Sequence, residues 1–88
     1  MTDDEVLAEI KRIARVIRRI QPNLHALQRM QERGAVLADV QNALLTASRA
    51  SWQQEHSSWR VAGGVDLDGD DLTVAIELTG DLLVRTVF

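Results

Sequence analysis

The chain contains no cysteine. No disulfide can staple it and no thiolate can hold a metal ion. It has one proline, one phenylalanine and no tyrosine, so Trp52 and Trp59 are nearly its whole aromatic complement. The opening Met-Thr-Asp-Asp-Glu is acidic, and no long uncharged apolar run follows. Both features argue against a secretory leader and a membrane-spanning helix. Together with the missing thiols they predict a cytoplasmic protein. There is no glycine-rich phosphate loop, and two histidines without cysteine are a poor zinc set. No cofactor and no metal site is expected. With 88 residues there is room for one small core, so residues 1–88 are read as one domain.

The net charge of −3 hides an asymmetry. Between Lys11 and Arg33 stand seven cations and one acid, 7 − 1 = +6. Between Glu55 and Phe88 stand two cations and seven acids, 2 − 7 = −5. A basic first half suggests an anionic partner; internal complementarity or a dimer contact would use the same charges. Lys11, Arg12, Arg15, Arg18 and Arg19 are the candidate RNA-binding cations.

The spacing predicts a helix over residues 3–20. Thr2 or Asp3 can cap it, and Asp3, Asp4 and Glu5 suit the positive end of the helix dipole. Val6, Ile10, Ile13, Ile17 and Ile20 form its apolar stripe. This amphipathic helix, residues 1–22, is read apart from a 23–88 core. A second helix is bounded by Asn23 as N-cap and Gly34 as left-handed stop. On it His25, Arg29 and Arg33 share one face, with Leu24, Leu27 and Met30 toward an apolar one. A third helix covers 37–46, with Val36 where a polar cap would stand, so a frayed or 3₁₀-like first turn is expected.

After Ser48 the period becomes two. A weaker strand spans 50–55. Trp59-Arg60-Val61 leads into a strand that Gly63-Gly64 can bend. Leu72, Val74, Ile76 and Leu78 line one face of the next strand. Thr79-Gly80-Asp81 turns the chain into a last strand over 82–88. Helices leading into an antiparallel meander predict an α+β domain with three to four antiparallel strands. The stretch from Asp66 to Glu77 mimics a calcium loop, but Asp71 stands where such a loop needs glycine. It is read as a hairpin turn.

The pattern His25-Ala26-x-x-Arg29-Met30-x-x-Arg33-Gly34, then Asp39-Val40-x-x-Ala43-Leu44, then Leu83-Val84-x-Thr86-Val87, resembles the family filed as domain of unknown function 4258. That family is related to BrnT-, RelE- and MqsR-like ribonuclease toxins. The resemblance covers roughly residues 24–88. It implies a RelE/BrnT-like fold, RNA as a partner, and an antitoxin-like protein as a second one.

Metal-free RNA cleavage needs a base for the 2′-OH proton, an acid for the leaving oxygen, and cations for the charge that grows on phosphorus. His25 and His56 are the residues whose type suits neutral acid–base work, with Glu55 a further base. Arg29, Arg33, Arg60 and Arg85 are the candidate charge stabilisers, because guanidinium donates bidentately to phosphate. Trp52 or Trp59 can stack on a base. Each residue has a structural alternative: His25 bonded to backbone, the tryptophans in the core, Arg85 paired with Glu77 across strands. The leading expectation is a toxin-like RNA-interacting protein and candidate endoribonuclease. The competing one is a non-catalytic module that dimerises or binds a protein through its first helix.

Overall fold

The computed structural model describes residues 1–88. The chain runs α1 (Asp3–Ala14), β1 (Ile20–Pro22), α2 (Leu24–Arg33), α3 (Leu37–Thr46), β2 (Arg49–Gln53), β3 (Ser58–Ala62), β4 (Val74–Leu78) and β5 (Leu82–Val87). This is an α+β architecture, with three helices on a five-stranded mixed sheet of order β1-β5-β4-β3-β2. No helix is long and apolar enough to cross a membrane.

The first helix is shorter than its stripe implied. Thr2 caps it reciprocally with Glu5: Thr2 Oγ1 accepts from Glu5 N at 3.2 Å, and Glu5 Oε1 accepts from Thr2 N at 3.1 Å. It stops at Ala14, whose carbonyl accepts from Gln41 Nε2 at 2.9 Å. That bond from α3 satisfies one of the carbonyls every helix end orphans. Val16 is then extended, and a single 3₁₀ turn at Ile17–Arg19 follows. Val6, Ile10 and Ile13 are buried on the helix, while Ile20 is buried on β1 and Ile17 is 40% exposed. The periodicity matched four buried positions, but two kinds of backbone supply them.

The expected antiparallel meander is corrected in two ways. It has one strand more at its β1 edge, and that strand is parallel to β5, with Ile20 opposite Leu82 and Pro22 opposite Val84. A three-residue edge strand tolerates proline, and a sequence window sees only a helix tail there. The first 22 residues therefore contribute to the sheet as well as to a helix. Arg19 pins the junction: its Nε donates to Asp81 Oδ1 at 2.9 Å and its Nη2 to the Gly80 carbonyl.

The second and third helices have the expected bounds. Asn23 Oδ1 accepts from Ala26 N at 2.7 Å, and Gly34 takes the left-handed conformation at φ 68°. The buried side of α2 is Ala26 and Met30, however, and Leu24 and Leu27 are 86% and 47% exposed. At α3 the uncapped start is tightened rather than frayed. Asp39 N bonds Val36 O at 3.0 Å in a 3₁₀ manner, and Asp39 Oδ2 accepts from Val36 N at 2.9 Å. The other Asp39 oxygen takes Leu67 N at 3.1 Å, which ties the acidic loop to the helix.

The core joins α1, α3 and one sheet face through Ile10, Val40, Leu44, Val61, Val74, Ile76 and Val84. Helix α1 packs with α3, β2 and β5, whereas α2 packs on β5 and β1. Gly64 makes a close approach possible. A Cβ there would lie 1.9 Å from the Ala43 carbonyl oxygen, and the Gly64 carbonyl accepts from Leu72 N at 3.1 Å. In the acidic loop Asp66 Oδ1 accepts from Asp68 N and Asp70 N, each at 2.9 Å. That carboxylate closes a turn.

Candidate functional site

Strand alternation sorts the sheet residues by face. Cross-strand partners Trp59, Ile76 and Val84 share the core face. Arg60, Ala75 and Thr86 are likewise partners, on the opposite face. Between Ala75 and Ile76 the register against β5 slips: Ala75 faces Thr86 while Ile76 faces Val84. Arg85 is the extra residue of this β-bulge. Bulges re-aim a side chain out of the regular ladder, and here the residue re-aimed is an arginine.

Arg85 lies in a cleft of about 260 Å³ lined by His25, Gln53, His56, Ser58, Ala75, Arg85 and Thr86. His25 reaches it from the first turn of α2, and His56 from a 3₁₀ turn at Gln54–His56 in the β2–β3 loop. The next residue, Ser57, is the one non-glycine residue with positive φ, at 48°. Such left-handed backbone is costly for a residue with a Cβ, and it ends the turn that presents His56. Arg85 Nη1 donates to the His56 carbonyl and lies 3.4 Å from Glu77 Oε1. The first contact holds the loop beside the arginine. The second is the Arg85–Glu77 pair that strand spacing suggested.

The predicted site residues thus divide. His25, His56 and Arg85 converge. Arg60 does not line the cleft; its guanidinium sits 4.8 Å above the centre of the Phe88 ring. Arg33 is a clamp, donating through Nη2 to Asp71 O at 3.0 Å and through Nη1 to Phe88 O. Arg29 is 3.4 Å from Glu32 on its own helix. The shared face of His25, Arg29 and Arg33 therefore serves the cleft only at His25. Sequence reasoning missed Gln53, Ser58 and Thr86. Ser58 is the one buried polar residue, and its place two residues after His56 was the available signal.

Among the candidate RNA-binding cations, Arg12 pairs with Glu9 and Arg19 with Asp81. Lys11, Arg15 and Arg18 have no acidic partner and no side-chain hydrogen bond, leaving three free cations around the end of α1. The bond from Arg12 holds the Glu9 carboxyl below its usual range. Trp52 is 46% exposed and meets Trp59 edge to face, with ring centres 5.3 Å apart and planes at 60°. Both rings border a second, more open cleft of about 330 Å³ with Ser57, Glu77, Leu78 and Thr79.

No protein-family model matches the chain, and no curated protein and no solved structure matches it either. The site therefore rests on its own chemistry: two imidazoles and a guanidinium around a polar cleft, with no group of three or more histidine or acidic side chains placed to hold a metal ion.

Proposed function

We propose that this chain is a toxin-like RNA-interacting protein of RelE/BrnT-like type, and that its His25–His56–Arg85 cleft cleaves RNA without a metal ion. The observation that carries the proposal is the convergence of the only two histidines on one cleft with a bulge-presented arginine. One imidazole takes the 2′-OH proton as the 2′ oxygen attacks phosphorus. The bond from phosphorus to O5′ breaks, and the other ring, protonated, gives its proton to O5′. The products are a 2′,3′-cyclic phosphate and a 5′-hydroxyl. Arg85 donates to the phosphoryl oxygens, where charge grows in the transition state. Lys11, Arg15 and Arg18 add sequence-independent attraction for the RNA backbone, and an antitoxin-like protein is the natural regulator of such an activity.

The first-helix interaction reading has less apolar surface to work with, because Val6, Ile10 and Ile13 are inside the domain and only Val16 and Ile17, beyond the end of α1, are about 40% exposed. The test is expression of the chain in bacteria beside its His25→Ala and His56→Ala variants. The wild type is expected to arrest growth. Each variant is expected to relieve arrest while keeping its fold, since a lost proton-transfer group typically costs about 10²–10⁴-fold in rate. Harmless expression of a folded wild type, with no RNA cut in the cell, would remove the proposal.

A further inference from the structure

The second cleft lies at the end of the sheet where β3 begins and β4 ends, and residues of both faces line it. Trp52 and Trp59 come from the core face, and Glu77 from the face of the first cleft. Ser57 and Thr79, from the flanking turns, complete it. Its parts do three things. Trp52 offers a half-open ring, held in orientation by edge-to-face packing on the less exposed Trp59. Glu77 supplies a carboxylate, which accepts hydrogen bonds and donates none. That carboxylate also meets Arg85, a residue of the first cleft, at 3.4 Å through Oε1, so one contact joins the two clefts.

A flat aromatic surface beside an acceptor-only group selects a flat ligand with donors on its edge. Any nucleobase can stack on Trp52. Guanine alone presents two adjacent donors, N1–H and the N2 amino group, to a single carboxylate. Uracil offers a single N3–H flanked by two carbonyl oxygens that the carboxylate repels, and adenine and cytosine offer one amino group each. We infer that the Trp52–Glu77 cleft is a guanine-binding subsite, stacking the base on Trp52 and reading its donor edge with Glu77. This rests on the ribonuclease reading for its purpose, since it makes guanosine the nucleotide beside the phosphate that Arg85 receives. It also makes the Glu77–Arg85 contact a link: a guanine that engages Glu77 loosens its hold on Arg85, freeing the guanidinium for phosphate.

The chain has two tryptophans and no tyrosine, and both tryptophans line this cleft. Its intrinsic fluorescence therefore reports on the proposed subsite alone. The experiment is titration of the purified chain with 3′-GMP, 3′-AMP, 3′-CMP and 3′-UMP, followed by tryptophan emission. Saturable quenching by 3′-GMP is expected, at least roughly tenfold tighter than by 3′-UMP, the discrimination a bidentate base contact typically supplies. Trp52→Ala should abolish the quenching. Trp52→Phe should keep binding, now reported by Trp59, and Glu77→Gln should keep binding but erase the guanine preference. Equal affinity for all four nucleotides, no saturable quenching, or a preference that survives in Glu77→Gln overturns the inference. RNA cleavage is scored separately: a chain that binds 3′-GMP selectively yet cuts nothing keeps this subsite and loses the ribonuclease reading. A chain that cuts RNA while binding the four nucleotides alike does the reverse.

Discussion

Three arginines that look alike in the sequence do different work. Arg33 joins the end of α2 to two backbone carbonyls, Asp71 O and Phe88 O. Arg85 is aimed into the cleft by a bulge, and Arg60 rests over Phe88. Arg33→Ala should therefore lower unfolding stability by about 1–2 kcal/mol, the range of charge-assisted hydrogen bonds reduced for exposure, as read by urea denaturation. Arg85→Ala should cost less stability, since one backbone carbonyl rather than two loses its donor, and should reduce RNA cleavage. The reverse pattern would exchange the roles of the two residues. Glu9 gives a pH signature. Its carboxyl is held below the ordinary value by the hydrogen bond from Arg12, so the pair helps folding above the unfolded-state range and is lost as pH falls through the lowered value. The pair lies at the surface, with Arg12 exposed and Glu9 part-exposed, so Glu9→Gln should alter only the acid side of the stability profile, slightly, and added salt should hide the difference.

At the scale of elements, the helix that stops early is the most testable feature. Ile13 is buried on α1, whereas Ile17 lies beyond its end and partly in solvent. Ile13→Asp should cost about 3 kcal/mol or more, since it buries a charge as well as losing apolar contact. Ile17→Asp should cost less than about 1 kcal/mol. Equal costs would mean that one continuous helix buries both. Gly64→Ala should also destabilise by more than about 2 kcal/mol, because its Cβ would meet the Ala43 carbonyl. These elements show what was legible. Asn23 and Gly34 mark α2 to the residue because caps are local chemistry, and Leu72 to Leu78 reveal a strand face through alternation. The end of α1 was illegible because no glycine or proline stands there: β1 exists only through pairing with β5, which lies some sixty residues away (for Ile20 and Leu82, 82 − 20 = 62). The apolar side of α2 was misjudged because Ala26, a small residue, holds the place against the sheet while Leu24 and Leu27 face water. For the site, residue type alone pointed to both histidines and Arg85. Their convergence depends on a bulge and a strained Ser57 turn, and neither leaves a mark in local sequence.

For the whole molecule, charge and shape work together. The basic first half is partly neutralised within the fold through Arg19 and Asp81, while Lys11, Arg15 and Arg18 stay free. Arg15→Glu with Arg18→Glu should weaken binding to single-stranded RNA and flatten its salt dependence by roughly two units of logarithmic slope or somewhat less, as two phosphate contacts are lost. A salt dependence identical to wild type would exclude these residues from RNA contact. The central claim is that the two-histidine cleft cuts RNA unaided by metal. Its most direct measurement is the end chemistry of RNA incubated with the purified chain in excess chelator, beside His25→Ala and His56→Ala. The account predicts fragments ending in 2′,3′-cyclic phosphate with 5′-hydroxyl partners, formed by the wild type and slowed about 10²-fold or more in each folded variant. Intact RNA, or fragments made equally well by both variants, would contradict it.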